Sequence, residues 1–89
     1  MINMPNLSHV GGDLNVMGNA DVNETSFPNL EIVKGDFVIA NSGFTCLPPK
    51  LNHIGGRVIL SKSCPGGLLA DVLGLEKQGA ILGGVFYCD

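Results

Sequence analysis

Two stretches of the chain carry the same pattern of residues. "MPNLSHVGGDLNVMGN", residues 4 to 19, and "FPNLEIVKGDFVIANS", residues 27 to 42, both run apolar, Pro, Asn, Leu, two residues, Val, one residue, Gly, Asp, apolar, one residue, aliphatic. A third copy begins at Leu47, where Leu51, Ile54, Gly56, Val58 and Leu60 keep the order. A degraded fourth copy is "ILGGVFYCD", with Ile81, Gly83, Val85 and Tyr87. Val10, Val33, Ile54 and Ile81 are then equivalent positions, 23, 21 and 27 residues apart. Self-similarity at such a period marks a repeat architecture, in which each unit buries its apolar face only against its neighbours.

Each unit contains an alternating pair: Leu14 and Val16, Phe37 and Ile39, Val58 and Leu60, Val85 and Tyr87. A period of two puts each pair on one face of a strand. The Gly before each strand suits a bend where a side chain would crowd the next unit. Pro5, Pro28 and Pro48 cannot donate to a ladder and belong at corners. The expected fold is mostly β: a short right-handed parallel β-solenoid of about four coils, its strands stacked about 4.8 Å apart. In 89 residues this makes one domain, residues 1–89, with coils over about 4–26, 27–46 and 47–64 and a last strand over about 81–88. Thirteen glycines and five prolines agree with many turns and little helix.

One segment breaks the period. In "PGGLLADVLGLEKQG", residues 65–79, Leu68, Leu69, Val72, Leu73 and Leu75 fall at roughly helical spacing, with Pro65 at the start and Gly79 past the end. The spacing predicts one amphipathic helix over about 66–78, inserted before the last strand, packed over one side or end of the stack. It accounts for the longer third interval.

The pattern Leu-x-x-Val-x-Gly-Asp-Leu-x-Val, preceded by a Pro corner, resembles the leucine-rich-repeat-related solenoids of receptor L domains and small repeat proteins of bacteria and phages. The turn Asn of that family is recognisable at Asn19 and Asn41. The resemblance implies protein recognition, and it carries no catalytic residues.

Five Lys+Arg against eight Asp+Glu, a net charge of −3, leave no basic footprint for nucleic acid and no polybasic membrane patch. No signal peptide is visible, and the longest uncharged apolar stretch is far short of the roughly 18 residues of a membrane span. Cys46, Cys64 and Cys88, an odd number at spacings of 18 and 24, favour reduced thiols and a cytoplasmic setting, that of a bacterial or phage-infected cell.

Few residues offer chemistry. His9 and His53 share a repeat position with Ile32 between them, which sets the imidazoles roughly 9.6 Å apart, too far to share a zinc. No cofactor or metal is expected. Cys64 stands before a helix N-terminus, where a thiol can be activated, but a nucleophile also needs a base. A small thiol-dependent or ligand-binding enzyme centred on Cys64 and His53 is the alternative to a binding protein. The Pro-Gly-Gly turn at 65–67 reads as a turn before a phosphate cradle, because the rest of a phosphate-loop pattern is absent. Asp13 and Asp36 stack beside Arg57 and form an exposed charge ladder.

The outward side of the strands carries the functional expectation. With Leu14 and Val16 inward, the outward sets are Asp13, Asn15, Met17; Asp36, Val38, Ala40; Arg57, Ile59, Ser61; and Gly84, Phe86, Cys88. The central column is Asn15, Val38, Ile59, Phe86, and three adjacent apolar side chains there would mark a protein-binding site. The alternative is that the helix folds over this face. The last strand, ending at Asp89, leaves a parallel edge at Ile81, Val85 and Tyr87 that could pair in a homodimer. The expected function is non-enzymatic protein binding, such as inhibition of a host or defence protein by occupying its surface.

Overall fold

The computed structural model describes residues 4–88, so Asp89 lies outside the described residues. Each repeat turns at its glycine. Short strands flank that corner: β1 (His9–Val10) and β2 (Leu14–Asn15), β3 (Ile32–Val33) and β4 (Phe37–Val38), β5 (His53–Ile54) and β6 (Val58–Leu60). The fourth repeat adds β7 (Val85–Tyr87), and its first half is reduced to a single bridge from Ile81 to Ile54. The alternation revealed only the second strand of each pair, because the positions two before Val10, Val33 and Ile54 are the polar Ser8, Glu31 and Asn52 and leave no apolar alternation to read. The last strand is also shorter than the expected 81–88 span.

The strands form two parallel sheets, one of three strands in the order β1-β3-β5 and one of four in the order β2-β4-β6-β7. Their register is that of the repeats. Val10 pairs with Val33 and Val33 with Ile54; Leu14 pairs with Phe37, Phe37 with Val58 and Val58 with Val85. Equal letters therefore become stacked neighbours, and the apolar ladders fill one interior. Val33, Phe37, Ile54, Val58 and Leu60 are fully buried there. Phe44 joins the ladders from the following turn, with its ring 6.3 Å from Phe27 in a stacked arrangement and 5.9 Å from Phe37 edge-on, both favourable aromatic geometries.

A proline turn lies on the other side of each of the first three units. The amide of Leu7 donates to the Met4 carbonyl, that of Leu30 to Phe27 and that of Leu51 to Pro48, which puts Pro5, Pro28 and Pro49 second in their turns, where a fixed φ is favourable. The third corner proline is thus Pro49 and not Pro48, which is buried beside it. Side chains link these turns: Asn29 Nδ2 donates to the Pro5 carbonyl and Lys50 Nζ donates to Asn29 Oδ1 at 2.8 Å.

Helix α1 (Gly66–Lys77) takes the corresponding place ahead of the fourth repeat. Gly79, with φ of 80°, takes the left-handed conformation that a side chain resists. Its amide donates to the Glu76 carbonyl and that of Ala80 to Leu75, the paired bonds of a Schellman stop. Leu68 and Val72 are buried, Leu69 and Leu75 are half-buried against the core, and Leu73 turns outward at 44% exposure. The helix is pinned to the third repeat by Asp71, whose Oδ2 accepts the Leu47 amide at 3.1 Å.

Candidate functional site

The outward column assembles as its spacing requires. Asn15 pairs with Val38, Val38 with Ile59 and Ile59 with Phe86, one residue from each strand of the four-stranded sheet. Helix α1 does not cover it, because Leu68 and Val72 point into the interior that the opposite face of these strands encloses. Val38 and Ile59 are half-buried, and Phe86 is 48% exposed. Two residues assigned to the outward sets are not on that face: Ala40 and Ser61 are buried, whereas Met17 is 47% exposed. The reason is strand length. Alternation ends with β4 and β6, and the next residues belong to the turns.

Asp13, Asp36 and Arg57 edge the column, in an arrangement that sequence alone presents only as charge. Asp13 Oδ1 accepts the Asp36 amide at 2.8 Å, and Asp36 Oδ1 accepts the Arg57 amide at 2.8 Å. Each carboxylate thus satisfies a backbone donor of the next repeat. The glycine before that donor leaves it room: a Cβ at Gly35 would overlap Asp13 Oδ1, and one at Gly56 would overlap Asp36 Oδ1. Gly-Asp is a stacking device in which the Asp of one repeat needs the Gly of the next.

Arg57 completes the ladder. Its guanidinium donates to Asp36 Oδ2 at 2.9 Å and lies 5.8 Å from the centre of the Phe86 ring, within cation–π range. The side-chain hydrogen bond from Arg57, then the bond from its backbone amide, hold the Asp36 carboxyl below its ordinary value, and the same contact raises the Arg57 guanidinium. The site therefore offers a flat apolar strip with an oriented guanidinium and an aromatic ring at one end.

The remaining candidates are dispersed. His9 and His53 flank Ile32 in the three-stranded sheet as the repeat requires, and no group of three His, Cys, Asp or Glu side chains able to hold a metal occurs among the described residues. Cys64 borders a cavity of about 170 Å³ with Ser61, Ser63, Asn41, Phe44 and Leu68; His53 does not line it. Desolvation first, then the Glu24 and Asp71 carboxylates, push the Cys46 thiol up. Of the three residues assigned to the open edge, Ile81 is buried, Val85 half-buried, and only Tyr87 is well exposed, at 44%. Ile81 sits over Ile54 as core.

Two contributors escaped the sequence. Leu82, 68% exposed, stands in the fourth repeat where Lys34 and Gly55 stand in the second and third, and comparison of those letters would have shown the substitution. Glu24 joins repeats by accepting the Thr45 amide and hydroxyl at 2.9 and 3.1 Å. Partial burial opposes its ionisation, but these bonds prevail and hold its carboxyl below its ordinary value. Among the described residues no helix is long and apolar enough to cross a membrane. No protein-family model matches the chain, and neither a curated protein nor a solved structure shows a significant match.

Proposed function

We propose that the chain is a short right-handed parallel β-solenoid of about four coils, akin to leucine-rich-repeat and L-domain folds, and that it works as a non-enzymatic protein-recognition module. The partner docks across Val38, Ile59 and Phe86, with Asn15, Asp13, Asp36 and Arg57 at the margin. One observation carries this reading: three apolar side chains from successive strands stand side by side on a face the helix leaves open. Contiguous exposed apolar patches mark interaction sites. An aromatic ring and an Arg are also the residue types that dominate interface energetics; here the Asp36 carboxylate holds the guanidinium beside Phe86 before any partner arrives, which lowers the ordering cost of binding. The setting proposed is surface occupation, the blocking of a host or defence protein in a bacterial or phage-infected cell, from the resemblance to small repeat proteins found there.

The test is a tagged pull-down from the native host, read by mass spectrometry, with the wild type and the double variant Ile59→Ser, Phe86→Ser. The variant keeps the circular dichroism of the wild type and loses the partner that the wild type enriches. An unchanged set of captured proteins, with the fold intact, removes the column as the site.

A further inference from the structure

Among the described residues nothing requires glycine at position 12. Its counterparts are crowded by the repeat before them: a Cβ at Gly35 or Gly56 would overlap the preceding Asp side chain and backbone, and one at Gly83 would come 2.5 Å from the Gly56 carbonyl carbon. A Cβ at Gly12 meets nothing within 4 Å, and its φ is not left-handed. Gly11 is equally open. The first repeat carries the clearance that a preceding repeat would require.

The hydrogen-bond ladders at the corner end in the same complementary way. Gly35 N–H donates to the Gly12 carbonyl, Gly56 to Gly35 and Gly83 to Gly56, at 3.0, 2.9 and 2.8 Å. Beside them Lys34 donates to the Val10 carbonyl, Gly55 to Val33 and Leu82 to Ile54. Both ladders stop with unused donors at one end, Gly11 and Gly12, and with unused acceptors at the other, the carbonyls of Ile81 and Gly83, none of which has a partner among the described residues. The apolar ladders stop likewise: Leu7, Val10 and Leu14 are half-buried at the first repeat, and Leu82 and Tyr87 are exposed at the last.

We propose that copies of this chain associate head to tail, the first repeat of one copy stacking on the fourth repeat of another. The contact continues the three repeat-to-repeat contacts already inside the chain, with Gly11 and Gly12 donating to the Ile81 and Gly83 carbonyls of the copy beneath. Pairing of β7 with β7 about a two-fold axis, the homodimer suggested by the open edge, would leave the first repeat's glycines and donors unused. A heterologous contact between two different surfaces forms a ring only if its rotation closes, and one that continues the stack along its own axis stays open-ended and grows with concentration. This inference does not depend on the docking column, which lies on the side of the stack and not at its ends.

Sedimentation velocity from micromolar to millimolar concentration tests it. The wild type is expected to gain mass continuously, with no plateau at two copies. Gly12→Leu blocks one end and Leu82→Asp the other; each is expected to weaken self-association at least about tenfold while keeping the wild-type circular dichroism. Gly11→Leu stands in if Gly12→Leu does not fold. Mixed together, the two variants retain one intact end of each kind and form a one-to-one pair that grows no further. A wild type that stays monomeric throughout overturns the proposal. So does a closed dimer that Gly12→Leu leaves intact, or a mixture of the two variants that fails to pair.

Discussion

The middle and the ends of the stack are written in the same letters and live in different surroundings. Val33 and Ile54 are fully buried, while Val10, their counterpart in the first repeat, is half-buried. Phe37 and Val58 are fully buried, while Leu14 and Val85 are half-buried. A Cβ at Gly35 or Gly56 would overlap the repeat before it, while one at Gly12 would meet nothing within 4 Å. A residue in such a stack is therefore constrained by its position along the repeat axis as much as by its position within the repeat. Where a letter persists without its local cause, as at Gly12, the cause has to be sought outside the single copy.

The largest effect that would break this comparison is steric. Gly56→Ala places a Cβ against Asp36 Oδ1 and the Gly35 backbone, an overlap that costs about 3 kcal/mol when a well-packed neighbour has to move. Gly12→Ala enters open space and is expected to stay within about 0.5 kcal/mol of the wild type. Urea unfolding of the two variants, at a concentration where the protein is dilute, reads the difference directly. Equal costs would mean that the two corners are not distinguished by stacking.

A smaller effect sharpens the account of the Asp ladder through its pH dependence. The folded Asp36 carboxyl titrates below its ordinary value because Arg57 donates to it. Its contribution to stability is thus complete above the unfolded value of about 4 and is lost as the pH falls through the lower folded value. Asp36→Asn cannot ionise, so its melting temperature is expected to lie below that of the wild type at neutral pH and to converge on it in acid. A constant gap between the two curves from neutral to acidic pH would show that the charge plays no part.

Much of this was legible in the sequence, for a definite reason. The intervals of 23 and 21 residues survive as cross-strand pairs because parallel stacking without slippage maps repeat position onto register. That mapping also placed Asn15, Val38, Ile59 and Phe86 in one column, and the Schellman glycine marked where the helix stops. What stayed hidden had no period to betray it. The strands before each corner hold one apolar anchor each, with Ser8, Glu31 or Asn52 two positions earlier and no alternation to read. Glu24 and Asp71 act on amides 21 and 24 residues away, and nothing local in their own segments announces it. Asp13 and Asp36 were visible as charges, yet their use as backbone acceptors depends on the close approach of Gly35 and Gly56, which arises only once the repeats are stacked. The extra residue at Pro48 shifted the third corner by one position, and the short length of β4 and β6 put Ala40 and Ser61 inside.

The claim beneath all of this is that consecutive repeats are bonded to one another through their glycine corners. Amide hydrogen exchange by NMR on a dilute sample measures those bonds one at a time. The amides of Gly35, Gly56 and Gly83, each donating to the repeat before it, are expected to exchange slowly and to be released together at the global unfolding limit, while Gly12 exchanges at close to the rate of an open chain. Fast exchange at Gly35 and Gly56, with protection confined to helix α1, would contradict the stacked arrangement and with it the docking column.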